Sequence, residues 1–274
     1  MQEALIKSIV NEYQLQIDGV SFWAPYWRDE IPKTEDDRPL RGPLNGKGTP
    51  AQLTDYLKRH LHNSPTPLKS GEDYRQFMHH LGLGVDCSGF VFYVLDQCLH
   101  KTKGKRLQDH LFKSRDALLA DFHNPAYVHP KHITEELLKG QPEQVSLTKI
   151  QEFWGNQPVR LAGVRILISE AANVIIPTAA EIQIGDQILM EGRTGTIPHH
   201  VLVVAVADDV ITYAHSGRLD NRADGELGGV EYDRITITDP SKPINHQVWD
   251  NQALIDEHVL HDDCTRRLKV LVSG

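Results

Sequence analysis

The sequence has few cysteines, no long apolar run and no excess of basic residues. Its three cysteines in 274 residues have no paired spacing, which indicates no disulfide framework. No apolar stretch approaches the roughly 20 residues that a membrane-spanning helix needs. The 29 basic residues are outnumbered by 37 acidic ones, for a net charge of -8, whereas nucleic-acid binders normally carry a basic stripe. We therefore expect no nucleic-acid partner and no membrane span.

The remaining composition is typical of a globular protein, with 40% hydrophobic and 24% charged residues. Residues 1–7 include acidic and polar residues where a signal peptide needs an apolar run. This predicts a soluble chain, either cytoplasmic or the processed form of an exported protein. The sequence does not indicate an oligomeric state.

The periodicity of apolar residues predicts helices first and strands afterwards. Helices are predicted within 1–16, from Thr49 to about residue 62, over 87–100 and around 250–260. Segments rich in β-branched residues predict strands at 164–168, 182–190, 201–206, 210–214, 230–238 and 268–272. This order indicates an α+β fold with helices packed on an antiparallel sheet.

Cys87 is the candidate nucleophile. It follows Asp86, a favoured helix N-cap residue, and precedes the apolar helix-compatible residues Phe90 and Val91. The first turn of a helix favours a thiolate, and its amides can stabilise an oxyanion. The alternative is a buried structural cysteine, the common state of a free thiol. We expect core packing for Cys98.

Two histidines at strand ends are candidate partners of the thiol. His200 opens one predicted strand and His215 ends the next. If these strands form a hairpin, the two imidazoles could lie side by side, one taking the thiol proton and the other orienting it. A slip in strand register would make His199 the base instead. Taken singly, each histidine also fits an ordinary surface or core position.

Four short motifs resemble, in order and spacing, the NlpC-type branch of papain-like cysteine peptidases. They are Asp-Cys-Ser-Gly-Phe at 86–90, Ile-Gly-Asp at 184–186, His-Val at 200–201 and His-Ser-Gly at 215–217. The resemblance implies that Cys87 is the nucleophile, His200 the general base and His215 the residue that orients it. It also implies a papain-like core.

The same resemblance implies three further site residues and a substrate class. Tyr74 corresponds to a tyrosine at the oxyanion site, and Asp86 and Ser88 correspond to positions that contact the amino end of the substrate. The substrate implied is a peptide of the bacterial cell wall, a muropeptide.

The sequence departs from the family pattern in two places. Cys87 and His200 are 113 positions apart, further than the family usually shows, and we assign the excess to a helical insertion over 101–158. Leu202 also replaces a small residue after His-Val. We predict an N-terminal helical and irregular arm (1–70), a catalytic domain (71–245) and a C-terminal extension (246–274) that packs on the core.

The predicted function is therefore amide hydrolysis through a thioester on Cys87, with no cofactor and no metal. Cys264 has no second cysteine at metal-ligand spacing. One alternative is a cell-wall-binding protein that keeps the cleft without the reaction. Another is a zinc protein that uses Cys87, His200 and His215, since thiolate and imidazole are zinc ligands.

Overall fold

The computed structural model describes residues 1–28, 46–111, 164–168, 170, 172–193, 198–217 and 227–272. Its architecture is α+β, with helices packed against an antiparallel sheet, which confirms the predicted class. Residues 112–158 of the predicted helical insertion lie outside the described residues.

The longest described helix has 17 residues and begins at the candidate nucleophile. The described helices are α1 (Glu3–Val10), α2 (Pro50–His60), α3 (Gly71–His80), α4 (Cys87–Lys103), α5 (Gln108–Leu111), α6 (Val164–Leu167), α7 (Gln252–Glu257) and α8 (Lys269–Val272). Short 3-10 helices span Asn11–Tyr13, Leu61–Asn63, Ala179–Glu181 and Ile244–His246. The predicted start of α2 is confirmed, because Thr49 and Gln52 form a capping box and Pro50 lies in its first turn.

The strands form a small hairpin and one larger sheet. The hairpin pairs β1 (Gln14–Ile17) with β2 (Val20–Trp23). The larger sheet contains β3 (Asn173–Ile175), β4 (Gln187–Gly192), β5 (His199–Ala207), β6 (Val210–Gly217), β7 (Gly229–Thr236), β8 (Val248–Trp249), β9 (His258–Val259) and β10 (Thr265–Leu268). Its eight strands are ordered β3-β10-β4-β5-β6-β7-β8, and β9 pairs with β4.

The two faces of this sheet bury different sets of side chains. On β5, Leu202 and Val204 pack into the core that contains α4, while Val201 and Val203 pack into a second core with Trp249. Successive side chains of a strand point to opposite faces. This alternation assigns His200 to the face covered by α4 and His199 to the opposite face.

Two predicted strands are wrong. Residues 164–168 contain the short helix α6, and residues 268–272 contain the last residue of β10 followed by α8. Both are apolar runs of about one helical turn, and periodicity cannot distinguish a strand from a buried helix over so few residues. The predicted helix within 1–16 is also shorter than expected, since α1 ends at Val10 and β1 begins at Gln14.

Both ends of the chain contribute to the main body of the fold. Ile6 and Tyr13 belong to the same hydrophobic core as α4. The segment after residue 246 supplies β8, β9 and β10 to the sheet. Among the described residues, no helix has the length and apolar character needed to cross a membrane.

Candidate active site

Cys87 is the first residue of α4, as the sequence predicts. Asp86 caps this helix, because its Oδ1 accepts a hydrogen bond of 2.6 Å from the Gly89 amide. Gly89 is required at its position, since a Cβ there would lie 2.5 Å from the carbonyl oxygen of Gly46. The Asp-Cys-Ser-Gly segment is therefore a helix start built to let the loop at Gly46 approach closely.

Lys47 occupies the polar side of this helix start. Its Nζ lies 2.8 Å from Oδ1 and 2.7 Å from Oδ2 of Asp86, and it also donates to the Ser88 hydroxyl. Lys47 is only 9% exposed, so the ion pair is largely removed from water. Asp86 and Ser88, predicted from the resemblance to contact substrate, thus both bind an ammonium group of the protein itself.

Lys47 is a residue that the sequence reasoning missed. It precedes Asp86 by 39 positions, and the glycines on either side of it give no motif. Only the tertiary contact between Gly46 and α4 brings it to the site.

The thiol of Cys87 lies against the beginning of β5. The main-chain N–H of His200 lies near enough to the Cys87 sulfur to lower the pKa of the thiol slightly. His200 is fully buried on the helix-covered face, and Cys87 is 7% exposed. The structure therefore brings Cys87 close to the main chain of the predicted base across the packing of α4 on β5.

The imidazole of His200 makes no hydrogen bond with the described residues, since neither of its ring nitrogens has a partner there. Burial lowers its pKa to about 3, and the positive charge of Lys47 adds to this effect. The ring is therefore neutral at pH 7 and has an unprotonated nitrogen that can accept a proton.

Burial also has the largest effect on the pKa of the Cys87 thiol. It raises the pKa of Cys87 to about 12, helped by the negative charge of Asp86 and opposed by the positive charges of Lys47 and Arg28. In this structure the thiol of Cys87 is thus protonated and the imidazole of His200 is neutral. The helix start and the nearby cations do not outweigh the loss of solvation, so the resting site holds no thiolate.

His215 lies in a different group of residues. The predicted hairpin of β5 and β6 is confirmed, but the neighbour of His215 is His199, with His199 Nε2 lying 2.9 Å from His215 Nδ1. Leu202 pairs with Ala214, and continuing this register by two residues brings Ser216 beside His200. The structure does not bring the His215 ring to His200, because the two side chains point to opposite faces of the sheet.

Two carboxylates of β7 complete the group around His215. The Nε2 atom of His215 lies 3.3 Å from Oδ2 of Asp233 and 3.5 Å from Oε1 of Glu231. Asn251 donates to the same Oδ2 of Asp233 at 2.8 Å. The sequence reasoning missed both acidic residues, although their alternation with Val230 and Tyr232 along a predicted strand was a signal.

Tyr74 contacts residues other than those around Cys87. Its ring stacks on Phe22 with centroids 5.1 Å apart, and its hydroxyl donates to Oδ2 of Asp18 at 3.3 Å. It lines a surface cavity of about 400 Å³ together with residues of the 61–68 segment, and Cys87 is not among the lining residues. These contacts give Tyr74 a packing role, and the oxyanion role implied by the resemblance stays a prediction.

The remaining motif residues and cysteines are structural. Asp186 of the Ile-Gly-Asp motif is fully buried and forms a two-pronged ion pair with Arg267, at 2.7 and 2.8 Å. Cys98 is fully buried in the core around α4, which confirms its predicted packing role. Cys264 is buried in the core on the opposite face of the sheet.

The chain was compared with protein-family models, with curated proteins and with solved structures, and none of them matches it. The likeness to NlpC-type peptidases therefore rests on the four short motifs.

Proposed function

We propose that this protein is a cysteine hydrolase that cleaves an amide bond, with Cys87 as the nucleophile and His200 as the general base. The observation that carries the proposal is the approach of the His200 main-chain N–H to the Cys87 sulfur, close enough to lower the pKa of the thiol. It joins two residues that lie far apart in the sequence, at a helix start and a strand start. These are rigid elements, which suits a reaction that depends on geometry.

The first step forms a thioester. His200 takes the thiol proton as the Cys87 sulfur attacks the carbonyl carbon of the substrate, and the carbonyl π electrons move to oxygen. The neutral state of both groups favours a proton transfer that accompanies attack over a preformed ion pair. The tetrahedral intermediate collapses when the C–N bond breaks and protonated His200 donates its proton to the leaving amine.

The second step releases the acid. His200 removes a proton from water as the oxygen attacks the thioester carbon, and the C–S bond then breaks with return of the proton to sulfur. In both steps the negative oxygen needs hydrogen-bond donors. The amides of Cys87 and Ser88 lie in the first turn of α4, where backbone N–H groups have no acceptor within the helix.

Lys47 supports this chemistry through Asp86. Its charge compensates the Asp86 carboxylate, which would otherwise raise the pKa of Cys87 further. It also stabilises the cap that fixes the first turn of α4. We assign it a positioning and electrostatic role.

The substrate class rests on the motif resemblance alone, and it is a cell-wall muropeptide. The roles that this resemblance gives to Tyr74 and His215 stay predictions. His215 contacts His199 on the other face of the sheet, so an effect on His200 would have to pass through the strand pair.

The test is a screen of defined muropeptides with mass-spectrometric detection of the products. Cleavage by the wild type, lost in Cys87→Ala and in His200→Ala, supports the proposal. Cys98→Ala is the matched control, since Cys98 lies on the same helix inside the core, and this variant keeps the activity. Cleavage that survives Cys87→Ala contradicts the mechanism, and binding without cleavage supports a cell-wall-binding protein instead.

The alternative of a zinc site made of Cys87, His200 and His215 has less support. The first two side chains lie on the helix-covered face of the sheet, and His215 lies with His199 on the other face. One ion cannot contact all three in this arrangement.

A further inference from the structure

The group around His215 lies on the face of the sheet opposite to Cys87. Glu231 and His215 are paired residues of neighbouring strands, and so are Asp233 and Tyr213. Side chains of paired residues stand on the same face of a sheet. The four side chains therefore converge because of strand register.

We infer that His215, Glu231 and Asp233 form a binding site for a divalent cation of the zinc class. Their donor atoms, one imidazole nitrogen and two carboxylate oxygens, all lie within 4.8 Å of one another. Zinc accepts these ligand types at about 2.0–2.2 Å, and catalytic zinc sites commonly use three protein ligands and leave one position open.

The two separations that His215 makes with the carboxylate oxygens suit a tetrahedral ion. Two ligands about 2.0–2.1 Å from a tetrahedral centre are about 3.3–3.4 Å apart. His215 Nε2 lies 3.3 Å from the Asp233 oxygen and 3.5 Å from the Glu231 oxygen. Calcium and magnesium prefer sites made wholly of oxygen, so the imidazole favours zinc or a neighbouring transition metal.

The groups behind the ligands resemble the supporting contacts of metal sites. A metal-bound imidazole usually donates its second N–H to another polar group, which fixes the ring. His215 has such a partner in His199, whose Nε2 lies 2.9 Å from His215 Nδ1. Asn251 likewise orients Asp233 through its amide.

A buried hydroxyl gives an independent indication of a ligand. Tyr213 is fully buried, and its hydroxyl has no hydrogen-bond partner in the described ranges. Tyr213 is paired with Asp233 across β6 and β7, so its side chain stands on the same face of the sheet as the ligands. Its ring lies 5.6 Å from that of His215. A buried polar atom beside the ligand set suits contact with a water or anion bound in the open position.

The site also has a route to solvent. The side chain of His215 is fully buried, whereas those of Glu231 and Asp233 are 24% and 25% exposed. An ion can therefore reach the carboxylates from water and be held by the imidazole beneath them.

The experiment is a titration of the untagged, chelator-treated chain with zinc chloride, followed by calorimetry and by competition with a chromogenic chelator. We expect one zinc per chain. Glu231→Gln and Asp233→Asn each weaken binding at least tenfold, and His199→Gln weakens it by about 10–100-fold through loss of ring orientation. Circular dichroism verifies the fold of each variant, and the partly exposed Glu231 is the safest of these positions.

The matched control is the pair of His246 and Asp262, which joins the same residue types at 3.3 Å but is exposed at the surface. Asp262→Asn leaves zinc binding unchanged. Cobalt loading gives a second measurement, because four-coordinate cobalt absorbs far more strongly in the visible region than the hydrated ion. The inference is overturned if the chain binds no zinc, if Glu231→Gln and Asp233→Asn bind as the wild type does, or if Asp262→Asn abolishes binding.

Discussion

The imidazole of His215 lies 2.9 Å from that of His199, and not beside that of His200. The side chains of these two adjacent residues of β5 therefore lie on opposite faces of one sheet. His200 lies on the face that α4 covers, where Cys87 is. His199 lies on the other face and contacts His215, which in turn contacts the carboxylates of β7. This separation divides what the sequence presents as one triad into a thiol–imidazole pair and a histidine–carboxylate cluster.

The reactivity of the cysteines follows from their burial. The pKa of Cys87 is raised to about 12, and only the thiolate reacts with iodoacetamide. We predict that Cys87 alkylation accelerates about tenfold per pH unit between about pH 7 and 10. Peptide mass spectrometry after timed quenching measures this rate.

Cys98 and Cys264 are the internal controls, at 0% and 3% exposure. Both should remain unmodified while the chain is folded. A Cys87 rate that levels off below about pH 8 would show a thiolate already formed near neutrality, contrary to this prediction.

The buried imidazole of His200 predicts a loss of stability in acid. Its pKa is about 3 in the folded chain against an ordinary value of 6.5, so the unfolded state gains the proton first as the pH falls. Protonation of His200 in the unfolded state therefore lowers the free energy of unfolding progressively below pH 6.5. The loss is about 2 kcal/mol at pH 5, relative to neutral pH. Urea unfolding at pH 7 and pH 5, compared between the wild type and His200→Gln, measures the difference. Equal losses in the two proteins would contradict the assignment.

The ion pair of Lys47 and Asp86 predicts a large effect on folding. Because both side chains are about nine-tenths buried, Lys47→Met leaves a carboxylate without compensation and costs about 3–5 kcal/mol of unfolding free energy. Lys7→Met is the control, since Lys7 and Glu3 form an exposed pair at 2.6 Å that contributes about 0.5 kcal/mol or less. Chemical denaturation measures both. Similar small costs for the two variants would show that the Lys47 contact is unimportant.

The double variant Lys47→Met with Asp86→Asn separates charge from packing. Removing the carboxylate charge as well restores part of the lost stability, because no uncompensated ion remains. No recovery would mean that the lysine acts through its aliphatic chain.

Local sequence signals predicted the elements that have strong local causes. The cap at Asp86 and the capping box at Thr49 fix the starts of α4 and α2, and β-branched runs fix β5 to β7. The short segments failed because fewer than six residues carry too little periodicity. The hairpin that holds His200 and His215 was also predictable from its two flanking strands.

The partners of the site depend on contacts that no local pattern carries. Lys47 reaches Asp86 only because a glycine-flanked loop packs on α4. Whether His199 or His200 faces His215 depends on strand register, and a shift of one residue exchanges the two faces of a strand. The spacing of the histidines alone could not predict which of the two shares a face of the sheet with His215.

The most direct test of the central claim is to look for the acyl group on Cys87. The wild type is mixed with the muropeptide that it cleaves, quenched in acid within the first turnover and digested for mass spectrometry. We predict an acyl thioester on the peptide that contains Cys87, removable by hydroxylamine, and no adduct at Cys98 or in Cys87→Ala. Cleavage that continues in Cys87→Ala, without an adduct at any cysteine, would contradict the proposed role of Cys87.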